Sequence, residues 1–151
     1  MRYFLDTEFN GFGGALISLA LVPEHGDHEY YAVLELPGEP HGWVQRNVLP
    51  YLRSVPQGFH SEPVSREEAA AELARYLAAD RDPVIVADWP EDIAQFCMLL
   101  VTGPGEIVAV GSMRFEFVAS PGFSTAMNSK VPHNALPAAG ALRDFVQQWV
   151  D

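Results

Sequence analysis

The chain has 151 residues, 48% of them hydrophobic, which suits one domain with a real core and excludes a disordered tail. Its formal net charge is −11, from 20 acidic against 9 basic residues, so bulk electrostatic attraction cannot hold a nucleic acid and a phosphate substrate needs local help such as divalent cations. The lone cysteine, Cys97, excludes an internal disulfide and suits a reducing cytoplasm, and no apolar run reaches the roughly 18–20 residues of a membrane span.

Arg2–Leu5 is short, apolar and aromatic, as a strand requires, and the glycine-rich Asn10–Gly14 is a turn. Ala15–Val22 is a continuous apolar run that reads as a strand covered on both faces; without a basic lead-in it does not read as a signal peptide. Pro23–Asp27 turns the chain into a third strand, Tyr30–Leu36, so the first three strands are expected to form an antiparallel meander. Residues 37–63 hold Pro37, Pro40, Pro50, Pro56 and Pro63 and are expected to be irregular, with a short helix around Trp43–Leu52.

Ser65–Ala79 is a helix. Ser65 and Glu68 stand at capping-box spacing, and Ala70, Leu73, Ala74 and Leu77 make an i, i+3, i+4, i+7 stripe. Pro83–Ala87 is a buried strand leading into a helix from Glu91 to about Leu100, and Glu106–Val110 is another strand. Met113–Val118 is strand or loop, and Ser120–Pro132 is loop-like. A last helix runs from about Ala135 to Trp149, with Leu136, Ala139, Leu142, Phe145, Val146 and Trp149 on one face and Pro137 tolerated in its first turn. The order implies one α/β domain over residues 1–151, a mixed sheet flanked by helices.

Asp6 and Glu8 lie two apart on a strand, so they share a face at its C-terminal end, where open α/β sheets place ligands. Like charges held together there repel, and a divalent cation removes that cost. The plain alternative is that Asp6 ends the strand and Glu8 is solvated. Asp88 and Asp92 flank the end of the Val84–Ala87 strand and the start of the next helix, where capping is a competing role. His133 precedes the last helix as a candidate base or an ordinary surface residue; His25, His28, His41 and His60 draw no functional claim.

Three runs, FLDTEF at 4–9, ADWPED at 87–92 and PHNAL at 132–136, resemble the exonuclease motifs of the DEDDh group of 3′–5′ exonucleases. The similarity is greatest to the small bacterial exoribonuclease branch related to oligoribonuclease and ribonuclease T. The resemblance implies a ribonuclease H-like fold and hydrolysis of short single-stranded RNA or DNA from the 3′ end to nucleoside 5′-monophosphates. It implies one or two Mg²⁺ or Mn²⁺ ions on Asp6, Glu8 and Asp92, with Asp88 as the alternative ligand. Glu8 would also orient the attacking water and His133 would be the general base. Thr7, Phe9, Asn10, Phe12, Trp89 and Asn134 become candidate substrate contacts, Phe12 and Trp89 by stacking on bases. A homodimer is implied by analogy, and a membrane is not.

The third motif departs from the family pattern. The final aspartate falls on Ala138, and the nearest later acid, Asp144, lies about 120° off the required helix face at 3.6 residues per turn. A missing ligand of this kind costs at least ~10–100-fold in metal affinity or activity. The second ion is therefore expected to be weak. A relative that binds nucleotide or a partner without turnover is the alternative function, and a structural domain with incidental acids is the third.

Overall fold

A computed structural model describes residues 1–120, 131 and 133–149, the last without its side chain. The core is a mixed six-stranded sheet. β1 (Arg2–Phe9), β2 (Leu16–Pro23) and β3 (Tyr30–Leu34) pair antiparallel as the sequence implied. β4 (Pro63–Val64) adds to β3, and β5 (Val84–Ala87) adds to β1, both parallel. The hairpin of β6 (Val101–Gly103) and β7 (Glu106–Ile107) stands apart from this sheet. β8 (Arg114–Phe117) runs parallel to β5, giving the order β4-β3-β2-β1-β5-β8.

Helices cover both faces. α2 (Arg66–Leu77) and α3 (Pro90–Leu100) supply Leu73, Leu77, Phe96 and Leu99 to a cluster with Tyr3, Leu5, Leu19, Leu21 and Ile85. The opposite face of β1 turns Phe4 toward Leu142 and Val146 of α4 (Ala135–Trp149). Ala135, Leu136 and Ala139 of α4 pack on Ala20 and Val22 of β2. Each fully buried side chain of this size contributes about 1.5–3 kcal/mol. α4 runs against β1: its C-terminal end meets the start of β1, where Gln147 donates to the Glu24 carbonyl at 2.9 Å and Glu24 N–H donates to the Arg2 carbonyl at 2.9 Å. Its N-terminal end therefore lies at the level of Asp6 and Glu8.

Several boundaries shift for physical reasons. The expected helix around Trp43–Leu52 is α1 (Gly42–Asn47) followed by a 3-10 turn at Leu49–Tyr51, because Pro50 cannot donate to a continuing helix. Ser65 caps α2 by accepting from Glu68 N–H at 3.1 Å. The strand expected over Glu106–Val110 is confined to Glu106–Ile107 in the small hairpin, with Ile107 exposed, and the sixth sheet position goes to Arg114–Phe117. The apolar run EIVAV reads as a buried strand, but the Gly105 turn folds it back on Val101–Gly103. No helix among the described residues is long and apolar enough to cross a membrane. Of the expected 120–132 loop, residues 121–130 and Pro132 lie outside the described residues, as does the Trp149 side chain.

Candidate active site

β1 outlasts its expected end and carries Asp6, Thr7 and Glu8 as strand residues, held by β2 along one edge and, at its start, by β5 along the other. Asp6 and Glu8 occupy the face that Phe4 turns toward α4; Thr7 occupies the other. Thr7 Oγ1 donates to Asp92 Oδ1 at 2.6 Å, both groups buried, which fixes the start of α3 against the strand. Pro90 begins α3, Trp89 is its cap residue, and Asp92 lies in the first turn.

These elements open onto a cleft of about 1080 Å³. Asp6, Thr7, Glu8, Asp88, Glu91 and Asp92 line it together with Phe9, Phe12, His41, Trp43, Trp89 and Phe117. Asp6 is 7% exposed, and its Oδ2 is buried with no hydrogen-bond partner among the described residues. Ser18, paired across the sheet with Glu8, is buried with its hydroxyl beside the Tyr31 phenol. An unpartnered buried carboxylate oxygen is costly, and the titration of the site reflects it. Burial, then the charges of Asp92, Glu8 and Asp88, push the Asp6 carboxyl well above its ordinary range. Burial and Asp92 push Glu8 up to about 7. Burial raises Asp92 to about 7 although the Thr7 hydroxyl pulls the other way, and burial also raises Asp88, against a 3.3 Å hydrogen bond from Ser120 Oγ. All four acids therefore hold their protons more tightly than free carboxyls do, Glu8 and Asp92 up to about pH 7. Among the described residues no group of three or more His, Cys, Asp or Glu side chains is placed to hold a metal ion.

The remaining sequence candidates sort by what their side chains touch. Phe12 is 98% exposed at the tip of the turn after β1, and Trp89 is 57% exposed beside α3; both present bare rings to the cleft. Phe9 lines the cleft half-buried. Asn10 does not face it as a free contact: its Nδ2 donates to the Glu39 carbonyl at 3.0 Å, and its Oδ1 accepts from His41 N–H at 2.8 Å. Asn134, an expected substrate contact, is 0% exposed and internally engaged. Its Oδ1 accepts from Leu136 N–H at 3.0 Å, capping α4, and its Nδ2 donates to the Tyr51 carbonyl at 2.6 Å. This cap also explains Pro137: the N–H it lacks would have had no helical partner.

His133 is not among the residues lining the cleft. It sits at φ +60°, a left-handed conformation uncommon outside glycine, with its ring edge-on to Trp43 at 5.0 Å between centroids. Trp43 lines the cleft, so His133 stands behind one wall of it. Ala138 is 3% exposed, one turn before Leu142 on the side of α4 that packs on β1. Asp144 faces solvent and pairs with Arg143 at 3.1 Å. His41 and Trp43 are cleft residues that the sequence did not single out: they lie in a proline-rich stretch without periodicity, brought to the strand end by the Asn10 clasp and by Val44 and Val48 packing on Ile17.

No family model matches the chain. A stretch of 73 residues is 41% identical to the asparagine–tRNA ligase of Acholeplasma laidlawii (strain PG-8A), covering 38% of this chain and 16% of that protein. The chain thus spans well under a fifth of the length of that relative.

Proposed function

We propose that this chain is a divalent-metal-dependent 3′–5′ exonuclease of the DEDDh type, with a ribonuclease H-like fold, that removes nucleoside 5′-monophosphates from short single strands. The observation that carries the reading is the buried, unpartnered Asp6 Oδ2 in a cleft shared with Glu8, Asp88 and Asp92. Acids held together with raised proton affinity are a donor set suited to a hard cation. Mg²⁺ or Mn²⁺ held by Asp6, Glu8 and Asp92, with Asp88 as the alternative ligand, would neutralise the phosphate and make a bound water acidic. Glu8 would orient the attacking water. His133, the base that the motif supplies, would have to reach past Trp43 to take its proton. The new P–O bond would form as the P–O3′ bond breaks, and the departing O3′ would take a proton from solvent, leaving a mononucleotide and a strand with a fresh 3′-hydroxyl. Phe12 and Trp89 offer faces on which the terminal bases stack. The test is digestion of a 5′-labelled single strand with and without EDTA. A ladder that needs metal supports the proposal, and no ladder at high Mn²⁺ and high protein rejects turnover.

A second reading, binding without turnover, is favoured by one observation: a buried alanine stands where the motif supplies its last carboxylate. The Ala138→Asp substitution separates the two. It is expected to raise Mn²⁺-dependent hydrolysis by at least ~10-fold, in line with the worth of a metal-supporting carboxylate. Wild-type binding to the strand with silence in both proteins would favour the second reading.

A further inference from the structure

The cleft contains an imidazole that the proposed hydrolysis does not use. His41 lines it, and among the described lining residues no lysine or arginine joins it, whereas Asp6, Glu8, Asp88, Glu91 and Asp92 are all acids. The placement of His41 is built by the same strand that carries Asp6 and Glu8. Asn10, one residue past β1, accepts from the His41 N–H at 2.8 Å and donates to the Glu39 carbonyl at 3.0 Å. Gly11 lies against the ring: a Cβ there would stand 3.3 Å from His41 Cε1 and Nδ1, and the residue holds φ +76°. Glycine at this position admits both the turn and the imidazole.

We propose that His41 grips a backbone phosphate of a single strand lying in the cleft, an assignment that rests on the nuclease reading above. Each nucleotide brings a negative charge past a set of acids. Ions on Asp6 and Glu8 can answer only the phosphate being cut; a neighbouring phosphate needs another donor. An imidazole N–H supplies one hydrogen bond in either protonation state, and the cationic form makes it charge-assisted. A phosphate contact carries no base information, so the grip is independent of sequence.

The test is fluorescence anisotropy with a 5′-labelled single strand bearing 3′-terminal phosphorothioate linkages, with Ca²⁺ present. Wild type, His41→Ala and His41→Arg are compared across a salt series. His41→Ala is expected to weaken binding about tenfold. Where the imidazole is cationic, the substitution should also reduce the slope of log affinity against log salt by roughly 0.7, the share of one charged phosphate contact in a single strand. His41→Arg should restore both, and all three proteins should melt alike because His41 is exposed. Equal affinity and slope in His41→Ala, with wild type binding, overturns the His41 assignment alone. So does an affinity loss without a slope change that arginine fails to repair, which would mark a purely structural role. A wild type that binds no strand in any divalent cation overturns this assignment and the nuclease reading together.

Discussion

Replacing Asp6 with asparagine keeps the shape of the side chain and removes its charge. Asp6 and Glu8 share a strand face two residues apart, about 6.7 Å at the strand rise of 3.3–3.4 Å per residue. At an effective dielectric near 20, two unit charges at that distance repel by roughly 2.5 kcal/mol. The metal-free Asp6→Asn protein is therefore expected to be more stable than wild type at pH 8, by about 1–2.5 kcal/mol, or roughly 3–8 °C in Tm for a chain of this size. The benefit depends on pH in a defined direction. Glu8 and Asp92 titrate at about 7 in the folded chain and Asp6 is raised with them, whereas the unfolded carboxyls titrate near 4. The folded protein binds more protons between those values, so wild-type stability falls as pH rises through about 4 to 7 and stays low above. The advantage of Asp6→Asn should be small at pH 4.5 and larger at pH 8. Thermal unfolding followed by circular dichroism in EDTA, from pH 4.5 to 8.5, reads this directly. Mn²⁺ at a hundredfold excess over its Kd should then stabilise wild type by about 2.7 kcal/mol, a response the variant should lose. An Asp6→Asn protein that is less stable at pH 8 in EDTA, or equally favoured at both pH extremes, would refute the shared-field argument.

Thr7→Val removes the hydroxyl donor to Asp92 Oδ1 and keeps the backbone donor of residue 7, an expected loss of about 1 kcal/mol at pH 8. The hydroxyl now pulls the Asp92 carboxyl down, so a carbon-13 titration of Asp92 should move upward in this variant; an unmoved curve would contradict the assigned role. Phe12→Ala should leave stability within about 0.5 kcal/mol, since the ring is in solvent, yet weaken single-strand binding by roughly 5–100-fold if bases stack there. Asn134→Ala should cost about 1–2 kcal/mol through the lost cap, with faster amide exchange at the start of α4. Unchanged exchange there would show that the cap is dispensable.

The strand-borne half of the site was legible because a strand has a fixed two-residue period: Asp6 and Glu8 had to share a face wherever the strand ended. The helix at Arg66–Leu77 and the meander were legible for similar reasons, through apolar spacing and turn residues. The edge strand was harder. Arg114–Phe117 alternates charge and aromatic with all four residues exposed, so no buried pattern marks it, whereas EIVAV looks like a central strand but sends only Val108 and Val110 against the core. Asn134 misled because an asparagine beside a candidate base reads as a contact, while capping α4 and tethering Tyr51 consume both ends of its amide. His41 was illegible because its place depends on a hydrogen bond to a residue 31 positions away, across two strands and the loops that join them.

β1 is bonded on both sides near its start, with β2 and β5, and its paired ladder with β2 continues past Glu8. Its pairing with β2 holds the two acids on one face, two residues apart, when both lose their protons. Relief must arrive from the surrounding fluid, as hydrogen ions or as heavier cations. Ala138 sits on a separate helix, whose side chains can be changed one at a time while the strand, and the tension it enforces, persists unaltered.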